Sequence, residues 1–225
     1  IAPRRGEYEP DVRLRELEAD GIAGEIVFPQ MAPFGAGLMQ YRHQVTAEQS
    51  LVGNRAYNHW LADLCSKNPG RHAGVAIIDV NDVNVAVNEV REAHKLGLFG
   101  GVLLPTSTGP NPFYHDYRHY APLWSVCEEL NMPIHTHSGW SPDYGDVPCA
   151  TMMFISEVDM WAHRPFTAML WSGVFERHPK LKMVFTETGC GWILETLRVL
   201  KFKIDNPIFA HFMKNLSLTP EEYFQ

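Results

Sequence analysis

Residues 121–139 read APLWSVCEELNMPIHTHSG, and this stretch contains one helix and one strand in immediate succession. Residues 121–131 place apolar side chains at helical spacing after an early proline, which predicts a helix. Residues 132–138 form a short apolar run that contains two histidines, which predicts a buried strand. A helix leading directly into a buried strand is the repeating unit of parallel α/β proteins.

The same alternation extends outward from this stretch in both directions. It predicts strands at residues 22–28, 74–80, 101–105, 132–138 and 181–187. It predicts helices at residues 11–20, 48–67, 83–96, 121–131, 158–177 and 192–204. Such alternation implies parallel pairing through right-handed crossovers. A closed α/β barrel needs eight strands, so five strands indicate either an open sheet or part of a barrel.

Composition and charge exclude several classes of protein. The 225 residues are 45% apolar and 20% charged, with a net charge of −7 and scattered basic residues, so nucleic-acid binding is not expected. We find no apolar run of about eighteen residues, so we expect no membrane span. The four cysteines form no Cys-x-x-Cys pair, and we expect reduced thiols in a cytoplasmic protein. We also expect one domain over residues 1–225, with further chain upstream because it begins at Ile1 rather than Met.

The strongest candidate site is the strand at residues 132–138. His135 and His137 are two positions apart and therefore project to the same face of a strand. Active sites of parallel α/β proteins gather at the carboxyl ends of strands, which favours His137 as a metal ligand. His135 lies deeper, where a hydrogen-bonded supporting or core residue is at least as good an interpretation. We assign it to substrate binding.

Other candidates follow from position along the predicted strands. Glu187 ends the strand at 181–187, before a glycine-rich turn, and could ligate a metal or act as a general base, although a helix cap or a salt bridge is the alternative. Gln30 and Trp140 follow strand ends and could line a substrate pocket. Asp79 is better explained as a helix cap. We interpret residues 115–119, which contain two histidines, as a surface loop because prolines flank them.

Four segments carry a resemblance to a known family. Residues 11–29, 54–63, 123–137 and 173–182 are similar to segments of the amidohydrolase-related family that includes aminocarboxymuconate-semialdehyde and resorcylate decarboxylases. The resemblance implies a distorted (β/α)8 barrel, of which this chain would supply strands two to six and would be incomplete at both ends. It also implies a divalent metal, with the family's strand-five histidine ligand falling on His137. The ligands on strands one and eight would lie outside this sequence.

One position departs from the family's decarboxylases. They carry a catalytic histidine at the end of strand six, where this chain has Glu187. Residues 187–192, ETGCGW, resemble a separate branch with glutamate at that position, some of whose members look like dinuclear manganese or iron proteins. The decarboxylase mechanism therefore does not carry over residue by residue.

From these observations we expect a metal-dependent hydrolase that acts on a small carbonyl or carboxylate compound through a metal-activated water. The alternatives are a metal-dependent decarboxylase of a carboxylated aromatic or muconate-like acid, and a non-catalytic barrel subunit of a paired complex. Zinc is the expected metal, with manganese or iron as the alternative. The expected assembly is a homodimer or a complex of related subunits.

Overall fold

A computed structural model of the protein describes residues 4–29, 46–210, 212 and 216–224. Its centre is a curled sheet of five parallel strands in sequential order. The strands are β1 (Glu25–Val27), β2 (His72–Ile77), β3 (Gly101–Leu103), β4 (Ile134–His137) and β5 (Met183–Thr186). This is the wall of a partial α/β barrel, with five of the eight strands that a closed barrel has. All five predicted strands are confirmed: four lie within the predicted bounds, and β2 begins at His72, two residues before the predicted start, and ends at Ile77.

Helices lie between successive strands, and further helices precede the first strand and follow the last. They are α1 (Pro10–Ala19), α2 (Ala47–Ser66), α3 (Val83–Lys95), α4 (Tyr117–Glu129), α5 (Ala150–Trp171), α6 (Val174–Arg177), α7 (Gly191–Asp205), α8 (Pro207–Ala210) and α9 (Pro220–Tyr223), with a 3-10 turn at Arg5–Glu7. None of the helices in the described part of the chain is both long and apolar enough to cross a membrane.

The two faces of the sheet have different environments. Val27, Ala76, Val102 and Ile134 point outward and join the main hydrophobic core beneath the helices. The residues that alternate with these along each strand point to the inner face, where neighbouring strands pair in register. They include Ile26, Ile77, Leu103, His135 and Val184. Ile26 and Val184 remain 51% and 37% exposed there. The inner face of the partial barrel is therefore the open one, and His135 and His137 both point toward it.

Side-chain caps fix where several helices begin. Thr46 and Gln49 form a reciprocal capping box at the start of α2, and the Asp82 carboxylate accepts from two amides at the start of α3. Each cap satisfies amides that would otherwise lack a helical partner. The strand-to-helix connections therefore end at defined residues.

The start of α4 differs from the prediction. The helix begins at Tyr117 rather than at residue 121, because Asp116 caps the amides of Arg118 and His119. Pro122 lies inside the helix, where it removes one backbone hydrogen bond without stopping it. The loop interpretation of residues 115–119 is thus wrong for Tyr117–His119. Similarly, the helix predicted from residue 158 begins at Ala150 and breaks at Gly173 into α5 and α6.

Candidate functional site

The ends of β4 and β5 bring His137 and Glu187 together. His137 is in register with Thr186, and the Ser138 amide donates to the Thr186 carbonyl at 3.2 Å. Glu187 is the next residue along the chain, so its side chain emerges beside that of His137. Both lie at the carboxyl edge of the sheet, where sites of parallel α/β proteins are found.

The hydrogen bonding of His137 determines which ring nitrogen is free. Its Nδ1 lies 2.7 Å from the backbone carbonyl of Ser138. Because a carbonyl can only accept, Nδ1 carries the proton in this bond and Nε2 of the neutral ring keeps a lone pair. That Nε2 lies 3.9 Å from Oε2 of Glu187. A ring nitrogen oriented in this way by a carbonyl is the usual arrangement of a metal-binding histidine.

Glu187 adopts an unusual backbone conformation for its residue type. Its φ is +54°, in the left-handed region that residues other than glycine rarely occupy. The side chain is 70% exposed, and the Ser138 hydroxyl donates to its Oε2 at 3.4 Å. Such strain often accompanies a functional position. The turn therefore presents a solvent-accessible carboxylate next to the free nitrogen of His137.

The separation of these two atoms is compatible with one shared metal ion. With nitrogen and oxygen ligands roughly 2.0–2.2 Å from zinc, two ligands at a tetrahedral angle lie about 3.4 Å apart. The 3.9 Å between Nε2 of His137 and Oε2 of Glu187 is somewhat wider, which a small rotation of the exposed Glu187 side chain would close, and it is too long for a direct hydrogen bond. Within residues 4–29, 46–210, 212 and 216–224, no cluster of three or more potential ligands forms. His137 and Glu187 thus offer two neighbouring atoms that a metal ion could share.

His135 lies one layer deeper on the same face. It is 1% exposed, and its Nε2 lies 2.7 Å from the carbonyl oxygen of Gly100. Burial lowers the pKa of His135, and the nearby His137 lowers it further. The hydrogen bond to Gly100 acts in the opposite direction and raises this pKa. The Phe28 ring touches both imidazoles, with centroids 5.2 Å from each. Phe28 directly follows β1, three strands away from β4, so it supports the pair from across the inside of the partial barrel, a contact that the sequence did not predict.

Aromatic side chains stand above the ends of β4 and β5. Trp140 meets Trp161 of α5 edge to face at 5.5 Å, and His163 stacks on Trp192 at 4.2 Å. These contacts place the turn of α5 around residues 161–164 level with the candidate centre. Trp140 is thus in a position to border a pocket, while also packing against a helix.

Arg164 belongs to the same turn of α5 and was not singled out by the sequence. Its guanidinium lies over the rings of Phe113 and Trp161, at 4.2 and 5.6 Å from their centroids. Cations bind aromatic faces in this way through the ring quadrupole. No sequence signal identifies it, because Phe113 and Arg164 are 51 positions apart and only the fold brings them together.

The remaining candidates have other roles or lie outside the described residues. Gln30 falls outside the described part of the chain. Asp79 accepts from the Asn81 amide at 2.8 Å in a turn, and Asp82 caps α3, so the cap role expected of Asp79 is wrong. Sequence reasoning missed Glu89 of α3, a buried carboxylate whose Oε2 accepts from the Asp79 amide at 2.7 Å. Burial raises the pKa of Glu89 to about 7.

A groove of about 810 Å³ lies beside β5 but away from this centre. Phenylalanines and residues of the C-terminal segment line it, among them Phe166, Phe175, Phe185 and Phe224. Neither His137 nor Glu187 is among the described residues that form its walls. Because the chemistry lies at the strand ends, we place the candidate site there rather than in the groove.

Comparison with known proteins gives the family and its relatives. The model of a family described as Amidohydrolase matches residues 8–210. A γ-resorcylate decarboxylase from Rhizobium sp. is 27% identical over 208 residues, which cover 87% of this chain and 59% of the relative. The chain thus spans about three fifths of the length of this relative.

Solved structures agree with the fold. An amidohydrolase from Mycobacterium avium subsp. paratuberculosis is similar with a TM-score of 0.74 and 22% identity, over 100% of this chain and 59% of the other. The 5-carboxyvanillate decarboxylase from Novosphingobium aromaticivorans was solved in complex with manganese and 4-hydroxy-3-methoxy-5-nitrobenzoic acid. It is similar with a TM-score of 0.74 and 21% identity, over 94% of this chain and 59% of the other. The expectation of a partial amidohydrolase barrel is therefore confirmed. With the match over residues 8–210, the chain belongs to the amidohydrolase family.

Proposed function

We propose that the complete protein is a metal-dependent carboxy-lyase that releases CO2 from a hydroxylated aromatic acid. The observation that carries this proposal is the free Nε2 of His137 beside the exposed carboxylate of Glu187, at adjacent strand ends. The family relationship supports it, because the γ-resorcylate and 5-carboxyvanillate relatives are decarboxylases by name. The decarboxylase alternative of the sequence analysis therefore takes precedence over the hydrolase expectation.

Each site residue has a proposed role. His137 holds the divalent metal through Nε2, and Glu187 is a further ligand or the group that moves a proton. His135 and Trp140 contact the substrate, and Gln30 remains a substrate-binding prediction from the sequence. A bound divalent ion supplies a Lewis acid that polarises a substrate oxygen. The manganese in the related 5-carboxyvanillate decarboxylase supports manganese rather than the zinc favoured from the sequence.

Decarboxylation defines what Glu187 has to do. The bond between the ring carbon and the carboxylate breaks, CO2 leaves, and the electron pair stays on the ring carbon. That carbon must then gain a proton from a nearby acid. Glu187 is solvent-accessible and oriented by Ser138, so it can exchange protons with water and pass one to the substrate.

Hydrolysis is the second candidate, and one specific residue favours it. The resemblance predicted a catalytic histidine at the end of strand six in the decarboxylases, whereas this chain has Glu187. A carboxylate at that position can act as a general base toward a water molecule. The two candidates differ in whether CO2 or a hydrolysis product is formed.

The test is a product analysis on the complete protein loaded with manganese. We expect 2,6-dihydroxybenzoate to yield resorcinol and CO2, measured by chromatography and by CO2 capture. His137→Ala should lose bound metal and reduce activity by at least about 10²-fold, and Glu187→Gln should reduce activity while keeping part of the metal. His59→Ala, an exposed histidine on α2, is the matched control and should behave as the unmodified protein.

Three outcomes would contradict the proposal. Cleavage of amide or ester substrates, with no CO2 from any of a panel of hydroxybenzoates, would establish the hydrolase instead. No metal uptake and no turnover would favour the non-catalytic subunit. Unchanged metal content in His137→Ala would remove His137 from the centre. Light scattering on the same preparation tests the predicted homodimer.

A further inference from the structure

The ring of His135 has one edge bound and one edge open. Nε2 lies 2.7 Å from the Gly100 carbonyl, and Cδ2 faces Gly101, where an added Cβ would come within 3.0 Å of it. The edge formed by Cδ2 and Nε2 therefore faces β3. Nδ1 lies on the other side of the ring, away from β3. This nitrogen is buried and has no hydrogen-bond partner among the described residues.

The bond to Gly100 fixes the chemical character of the open nitrogen. Because a carbonyl only accepts, Nε2 carries the ring proton, and in a neutral imidazole Nδ1 then has a lone pair and no hydrogen. Within the described part of the chain, no carboxylate pairs with His135 that could compensate a buried imidazolium. Nδ1 is thus a hydrogen-bond acceptor and not a donor.

The surroundings of this acceptor are apolar. Phe28 packs against the ring at 5.2 Å, and the cross-strand neighbours of His135 are Leu103 and Val184. A buried acceptor without a partner typically destabilises a protein by about 1–3 kcal/mol. A leucine at this position would avoid that cost and would suit a barrel strand. Packing within the described part of the chain therefore gives no reason for the open acceptor.

We propose that Nδ1 of His135 accepts a hydrogen bond from a ring hydroxyl of the substrate, and so makes the site select hydroxylated aromatic acids over their methoxy counterparts. The inference rests on the proposed function, since it specifies the substrate of that same site. His135 shares its face with His137, and both rings touch Phe28, so this nitrogen lies on the same inner face as the proposed metal ligand. A methoxy oxygen has no hydrogen to donate and would leave the acceptor unsatisfied.

A pair of variants of equal shape isolates the acceptor. Asparagine and leucine both lose the contact with Gly100, but Oδ1 of asparagine can occupy the position of Nδ1, whereas leucine has no polar atom there. We expect His135→Leu to lower kcat/KM for 2,6-dihydroxybenzoate by about 10- to 100-fold. His135→Asn should retain most of it. Turnover of 2,6-dimethoxybenzoate should be low in the unmodified protein and in both variants, and it should not differ between His135→Leu and His135→Asn.

A binding measurement on the complete manganese-free protein does not depend on turnover. With ¹⁵N-labelled histidine, the Nδ1 resonance of His135 should report an unprotonated nitrogen and shift on titration with resorcinol. It should not shift with 1,3-dimethoxybenzene. Folding of both variants is checked by circular dichroism, and their metal content should equal that of the unmodified protein.

The outcomes separate this inference from the proposed function. If neither 2,6-dihydroxybenzoate nor 2,6-dimethoxybenzoate is turned over but resorcinol shifts the Nδ1 resonance, the carboxy-lyase proposal fails and the hydroxyl contact stands. If 2,6-dihydroxybenzoate is turned over with the same kcat/KM by His135→Asn and His135→Leu, the inference is overturned. It is also overturned if resorcinol leaves the Nδ1 resonance unchanged. Loss of metal in both variants would also overturn it, because His135 would then act as a ligand.

Discussion

At the scale of a single residue, the protonation state of Glu89 bears on the free energy of unfolding of the chain. It is 4% exposed, lies on α3 and accepts a hydrogen bond from the Asp79 amide just beyond β2. Burial, together with the nearby Asp79, raises the pKa of Glu89 to about 7, although the bond from the Asp79 amide acts in the opposite direction. The carboxyl group is therefore held partly protonated at neutral pH, where an ordinary glutamate is ionised.

This pKa predicts a pH-dependent stability. Below about pH 4.5 the Glu89 carboxyl group is protonated in both the folded and the unfolded chain. Between about pH 4.5 and 7 it stays protonated only in the folded chain. The free energy of unfolding should therefore fall as pH rises through this window, by about 3 kcal/mol at most from this group. Glu89→Gln should remove that decline in urea titrations at several pH values. Glu92→Gln, an exposed change on the same helix, is the control, and an equal decline in both variants would refute the prediction.

Gly101 allows His135 to sit against β3. Its φ is +116°, and a Cβ there would lie 2.2 Å from the Pro133 carbonyl oxygen, so any side chain would force the strands apart. We expect Gly101→Ala to destabilise the protein by about 2–4 kcal/mol, measured by denaturant unfolding. Gly191→Ala, with open space around the added Cβ, should change stability by less than about 1 kcal/mol. Equal effects would contradict the close approach.

At the scale of elements, Asn58 joins α2 to β2. Its amide donates to the Ile77 carbonyl and accepts from the Ile77 amide, both at 2.9 Å. The side chain is buried, so it acts as a substitute strand partner for one residue at the end of β2. Two backbone groups in the barrel wall thus depend on a side chain from the neighbouring helix.

Removing this side chain should therefore be costly. Asn58→Ala leaves a buried N–H and a buried C=O of Ile77 without partners, and we expect a loss of about 2–4 kcal/mol in the free energy of unfolding. Asn58→Asp keeps an acceptor for the N–H but no donor for the C=O. Asn88→Ala, on the exposed face of α3, is the control and should change stability by less than about 0.5 kcal/mol. If Asn58→Ala resembles Asn88→Ala, water replaces the missing amide.

At the scale of the whole molecule, the proposed metal centre at the strand ends would link metal binding to folding. His137 and Glu187 come from neighbouring strands, and their donor atoms meet only in the folded sheet. A ligand that binds only the folded state stabilises it by about 2.7 kcal/mol at a hundredfold excess over Kd. For a protein of this size, this amounts to a rise in Tm of roughly 5–10 °C.

Thermal unfolding of the complete protein tests this linkage. Manganese should raise the Tm of the unmodified protein and of His59→Ala, but not that of His137→Ala. If manganese and zinc are compared at equal free concentration, the larger shift identifies the preferred ion. An equal rise in His137→Ala would show that the ion binds elsewhere.

The sequence alone determined the order of strands and helices, because both elements have a local periodicity that apolar residues reveal. It also placed His137 at a strand end, since the histidine directly follows a buried run, and it indicated the family through four segments. Only the tertiary structure decided that Nε2 of His137 is free and lies 3.9 Å from Glu187, that His135 keeps an open acceptor, and that Asn58 and Glu89 support β2. These contacts join residues 10 to 50 positions apart, and nothing in the local pattern of the chain encodes a distance in space.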